Sequence, residues 1–142
     1  MSLIGNIGRV AVAAATVSVT ALGLATDASA VSGAPTLGYR YTTSGDGVKC
    51  VQHDINYVID TQNPSSPPPY RHLDEDGLWG PKTDADVRWF QSWYGNLDVD
   101  GVVGRKTGDA LLYSGDRSWN GDPYSTGPGP CYWKLPSDNI MS

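Results

Sequence analysis

The sequence is short of the residues that several kinds of function require. It has two histidines, two cysteines, two methionines and one phenylalanine in 142 residues, and its acidic side chains outnumber its basic ones to leave a net charge of −5. Apart from Arg105-Lys106 the basic residues stand singly. Nucleic-acid recognition depends on clustered Lys and Arg that release counterions, so that class of partner is excluded, and binding to an anionic membrane surface is disfavoured for the same reason. His53 and His72 lie 19 residues apart across a proline-rich stretch, with no HExxH or comparable spacing, which argues against a zinc peptidase. No motif implies a metal or a cofactor.

Long apolar runs are also scarce. The one candidate, Val10 to Ala25, is 16 residues long and rich in Ala and Thr, shorter than the roughly 20 that a spanning helix needs. Arg9 precedes it and Asp27-Ala28-Ser29-Ala30 follows with small residues at the signal-peptidase positions, so residues 1–30 read as a secretory signal cleaved after Ala30. Its removal takes away one base and one acid, and the net charge is unchanged. In an oxidising compartment an even pair of cysteines favours a disulfide, here Cys50 to Cys131. The alternative is free thiols or one catalytic thiolate, for which neither histidine offers a recognisable base motif.

What is abundant is a repeat. Asp76-Gly77-Leu78-Trp79-Gly80-Pro81-Lys82-Thr83 recurs as Asp100-Gly101-Val102-Val103-Gly104-Arg105-Lys106-Thr107, sharing Asp, Gly, Gly, Lys and Thr at an offset of 24. Each copy reads as a turn feeding a helix, with Gly77, Gly80, Gly101 and Gly104 turning the chain and Thr83 and Thr107 capping the helix that follows. Asp86 stands where it could complete a capping box with Thr83. Val48 to about Asp60 reads as a first helix capped by Asp46, with Val48, Val51, Gln52, Ile55 and Ile59 on one face and Cys50 and Tyr57 on the other. Thr61–Pro69, with four prolines, ends it. Thr83–Tyr94 forms a second helix with Val87, Phe90 and Tyr94 inward, and Thr107–Tyr113 a third carrying Leu111 and Leu112. Residues 31–43 read as an extended lead-in, 44–113 as the domain, and 114–142 as an irregular but aromatic-rich tail drawn by Cys131 to the outer face of the first helix.

Val48-Lys49-Cys50-Val51-Gln52, the first turn copy, Val87-Arg88-Trp89-Phe90-Gln91, and Leu97-Asp98-Val99 leading into the second copy together resemble the peptidoglycan-binding-like domain of secreted cell-wall proteins, over residues 44–113. The resemblance implies an all-α fold, a small three-helix bundle with Asp-Gly turn loops. It also implies a non-catalytic module at the cell wall, with peptidoglycan, glycan or stem peptide, as partner, and the chain is read as a monomer. The proline-rich loop is longer than the family's, and Asp86 replaces a small residue there.

Aromatic rings pack on sugar faces while amides hold hydroxyls and peptide groups. The candidate ligand residues are therefore Trp89, Trp93, Tyr94 and Gln91 on the second helix, with Tyr57. Trp89 lies off the core stripe, which leaves it either a ligand platform or covered by the tail. Two other readings compete. Asn96, Asp98 and Asp100 fit three positions of an EF-hand-type loop, as in dockerin modules, but Thr107 and Thr83 stand where a closing carboxylate should be. An accessory or degenerate wall hydrolase could use an acid pair such as Asp98 with Asp100 or Asp84 with Asp86, although acids at turns and helix starts more often serve as caps.

Overall fold

The computed structural model describes residues 33–122 and 127–138; the expected signal segment lies outside them, as does Tyr124. Three helices form the body: α1 (Asp46–Gln62), α2 (Pro81–Tyr94) and α3 (Arg105–Ser114). Helix α1 packs against both of the others. Its Val48, Val51, Ile55 and Val58 meet Val87 and Phe90 of α2 and Leu111 of α3 in one apolar core, as helical periodicity requires. Each fully buried aliphatic or aromatic side chain in that core contributes on the order of 2 kcal/mol.

The two turns are built alike, and glutamines make them so. Gln52 of α1 directs Nε2 at Asp76 Oδ1 (3.0 Å), the Leu78 carbonyl (3.0 Å) and Thr83 Oγ1 (3.2 Å), while its Oε1 accepts from the Gly77 amide (2.9 Å). Gln91 of α2 repeats the pattern with Asp100 Oδ1 (3.0 Å), the Val102 carbonyl (2.9 Å) and Thr107 Oγ1 (3.2 Å), and accepts from the Asp100 and Gly101 amides. In each copy the aspartate also receives the amide two residues on, from Leu78 or Val102. Gly77 and Gly101 adopt φ values of +71° and +70°, where a side chain would be strained.

This arrangement corrects the expected caps. Helices α2 and α3 begin at Pro81 and Arg105, with Gly80 and Gly104 as N-caps and no side-chain cap. Thr83 and Thr107 sit in the first turn, buried, and their hydroxyls accept from the glutamines. Pro81 explains the earlier start of α2, since its missing N–H costs nothing at the first helical position. Likewise α1 starts at Asp46 itself, with Gly45 as N-cap. Asp86 completes no capping box: it is buried, and its Oδ1 accepts the Tyr70 amide of the proline-rich loop at 3.1 Å.

The lead-in before α1 is tied to both turns. Leu37 exchanges both backbone hydrogen bonds with Val103 in the second turn (3.1 and 2.9 Å), and its side chain is buried in the core. Further on, Thr43 accepts from the Trp79 amide and the Gly45 amide donates to Gly77, in the first turn. The segment thus ties one turn to the other.

The tail is held as expected and is more regular than expected. Cys50 and Cys131 are bonded, with Cα atoms 5.6 Å apart. Beyond α3 the chain forms a short α4 (Arg117–Asn120) and an antiparallel pair of two-residue strands, β1 (Gly121–Asp122) and β2 (Gly127–Pro128), in the register Gly121 to Pro128. Cys131, Tyr132 and Leu135 then join the core, so Cys50 is buried although it lies off the main apolar stripe of α1. The return is flush against α3, where a Cβ on Gly108 would collide with the Pro136 carbonyl oxygen. No helix among the described residues is long and apolar enough to cross a membrane.

Burial pushes the Asp86 carboxyl up to about 6 against the pull of the Tyr70 amide, and its Oδ2 has no hydrogen-bond partner. A carboxyl whose pKa is raised by folding keeps its proton longer in the folded chain, so stability falls as pH rises from about 4, the unfolded value, to about 6. Asp86→Asn keeps an acceptor for Tyr70 and removes the titration. Chemical denaturation should show the variant gaining on the wild type by about 2 kcal/mol between pH 4 and pH 7; a gap of equal size at both pH values would refute this account.

Candidate functional site

The C-terminal ends of α2 and α3 lie beside the outer face of α1, and side chains from all three enclose a cleft of about 510 Å³. Tyr57, Trp93, Tyr94 and Tyr113 supply its rings, and Gln62 and Arg117 line it as well. Tyr94, expected on the inward stripe of α2, sits instead at the open end of the helix and is 41% exposed, and Tyr113 is 78% exposed, so their faces are open to a ligand. The geometry follows from the helix ends. Gly95 stops α2 just past Tyr94, at φ +79°, and Gly115 stops α3 two residues after Tyr113.

Three of the five candidate ligand residues therefore come together: Tyr57, Trp93 and Tyr94. Trp89 stands behind them, half-buried, stacked on Trp93 with ring centroids 5.9 Å apart and planes 15° from parallel. Its Nε1 donates to the Ser66 carbonyl at 2.7 Å, so the proline-rich loop, rather than the tail, covers it. Trp93 in turn abuts Phe90 of the core, which fixes the plane of the cleft wall. Gln91 is withdrawn from this surface: it is 1% exposed and its amide is committed to the second turn. Tyr113 and Arg117 line the cleft without being among the residues that the sequence singles out. Tyr113 follows the inward Leu111-Leu112 pair and turns outward by one helical step, a signal that periodicity does carry.

A second cluster joins α1 to the tail. His53 lies between Glu75 and Asp116, Nδ1 at 3.0 Å from the first and Nε2 at 3.2 Å from the second, and stacks on Trp119 with centroids 3.8 Å apart. Burial opposes ionisation of Asp116, but the Ser118 hydroxyl and amide and the His53 ring outweigh it and lower its pKa. Beside it Asp54 is enclosed, and burial raises its pKa well above the usual carboxylate range despite hydrogen bonds from the Asp116 amide and Asn120 Nδ2. These contacts pin α4 to α1. They account for His53 as a structural residue.

Of the acids weighed for calcium or catalysis, Asp76, Asp84, Asp86 and Asp100 are engaged in other contacts, whereas Asp98 is exposed. Asp76 and Asp100 accept from glutamine and turn amides, and at Asp76 the Leu78 amide and the Gln52 side chain hold the carboxyl below its ordinary pKa. Asp84 pairs with Arg88 at 2.9 Å. Among the described residues no group of three or more His, Cys, Asp and Glu is placed to hold a metal ion.

Neither a curated protein nor a solved structure matches the chain. A family model does match, over residues 67–111, and it takes in both turns, all of α2 with Gln91, and α3 as far as Leu111. The family is described as "Putative peptidoglycan binding domain", and residues 67–111 of this chain are a match to it.

Proposed function

We propose that the chain is a secreted, non-catalytic module that binds cell-wall peptidoglycan, with the sugar rings of the polymer lying in the aromatic cleft. One observation carries the reading: the family match takes in α2 and runs into α3 as far as Leu111, and the C-terminal ends of those two helices supply Trp93, Tyr94 and, just past the match, Tyr113 to one open cleft. Tyrosine and tryptophan rings bury large apolar faces against sugar C–H groups and leave their polar edges free for hydroxyls. The disulfide accords with an extracytoplasmic setting. A monomer suffices, because one chain supplies every ring of the cleft.

Purified sacculi should retain the mature protein in a pull-down. Tyr94→Ala and Tyr113→Ala both remove exposed rings, so each should weaken retention about tenfold while leaving the melting temperature within a few degrees of wild type. Wild-type protein that stays in the supernatant would sink the reading.

A further inference from the structure

A second and larger groove, about 910 Å³, is lined in part by the α2–α3 connection. Its walls are the N-terminal segment at 33–36, Tyr41, Leu97 and Asp98 of the connection, the start of α3, and Pro136 with Asp138 of the tail. It differs in chemistry from the aromatic cleft. One aromatic ring, Tyr41, reaches it, and charges of both signs line it. Arg105 and Asp138 neutralise each other at 3.2 Å. Lys106 and Asp98 do not: both side chains are exposed in the groove, and among the described residues neither has an ion pair or a side-chain hydrogen bond.

We propose that this groove takes a short peptide bearing both a carboxylate and an ammonium group, with Lys106 facing the carboxylate and Asp98 the ammonium. Opposed charges set in one groove select a ligand that carries both, because a ligand with only one sign meets an unfavourable partner at the other end. A sugar chain without ionised groups uses neither. The inference rests on the peptidoglycan reading and deepens it: the stem peptide of the wall polymer has carboxylates and, in many forms, a free amine, whereas the glycan offers the rings that suit the first cleft. The two clefts flank the same stretch, Trp93 to Asp98, so one strand of wall polymer could present sugar to one and peptide to the other. Two weak sites engaged by one polymer bind together far more tightly than either alone.

The test uses the mature chain and two soluble probes, an N-acetylglucosamine tetramer and a synthetic stem tetrapeptide with a free carboxylate and a free side-chain amine. Titration calorimetry should show wild-type protein binding the peptide, with affinity falling as salt is raised. Lys106→Glu and Asp98→Lys should each cost about tenfold in peptide affinity and leave the tetramer affinity unchanged. Both positions are exposed, so circular dichroism melts should match wild type. Peptide affinity unmoved by both substitutions would overturn the inference. So would binding of the tetramer with none of the peptide, which leaves the proposed function standing. Failure of wild type on sacculi and on both probes overturns the inference and the function together.

Discussion

Gln91→Glu should unfold the protein, or nearly so, at neutral pH, although it exchanges one side-chain NH2 for an oxygen. The amide nitrogen now points at three acceptors: Asp100 Oδ1 at 3.0 Å, the Val102 carbonyl at 2.9 Å and Thr107 Oγ1 at 3.2 Å. A carboxylate there can donate to none of them and can only accept from a reoriented Thr107 hydroxyl, and it sets a second negative charge against Asp100 in a site that is 1% exposed. Lost hydrogen bonds, a buried unpaired charge and like-charge repulsion all act in the same direction, so the expected loss exceeds about 4 kcal/mol, a large share of the stability of a domain this size. Gln91→Met, which keeps volume and removes the polar atoms, leaves the Gly101 amide orphaned and should cost about 3 kcal/mol. The two variants differ in pH response. The new carboxyl would have a raised pKa in the folded chain, so the Glu variant should recover as pH falls toward about 4, and the Met variant should not. Urea titrations at pH 7 and pH 4.5 decide the matter. Equal stability of Gln91→Glu and wild type at pH 7 would show that the turn is not held from the helix side.

Breaking the disulfide is the second large effect. Cys50 and Cys131 are 81 residues apart in sequence, and closing a loop of that length removes enough unfolded-chain entropy to be worth about 4 kcal/mol. The native side of the equilibrium adds to it. Cys131 leads into Tyr132 and Leu135, which are buried over the core, and the Pro136 backbone lies directly on Gly108. Cys131→Ser should therefore lower the urea midpoint sharply and make the segment 131–138 exchange its amide hydrogens early, before α1 and α2 open. A stability loss below about 1 kcal/mol would mean that packing alone holds the tail.

The parts of this fold that were legible in the sequence are those governed by short-range rules. The apolar stripe of α1, the Val87 and Phe90 stripe of α2, the turn at each Asp-Gly and the cystine all follow from residues read in place. The glutamine contacts depend on distance. Gln52 could be placed on the inward face of its helix, yet its partners lie 24 to 31 residues away, and no local pattern states that an amide will fill a turn so remote. The threonines misled because capping is the commoner use of a hydroxyl near a helix start, and Pro81 was the residue that marked the true beginning. Leu37 was lost for another reason: it pairs with Val103 through an isolated bridge, and one residue has no period. At the cleft, ring positions on a single helix were readable. Tyr113 required knowing that α3 ends beside α2.

The paired turns have a consequence for where this chain can change length. Gln52 stands 24 residues before its aspartate, Asp76, while Gln91 stands 9 residues before Asp100, and both reach the same set of partners. The molecule thus carries its own comparison of a long and a short connection at the same joint, and the joint is indifferent. Part of the spare length is the longer run of α1 after Gln52, and the rest lies in the proline-rich stretch that also covers Trp89. That stretch is where residues can be added or removed at small cost in loop entropy, and because it ends against the ladder of tryptophans, each such change would reshape the approach to the cleft without disturbing the frame that holds it.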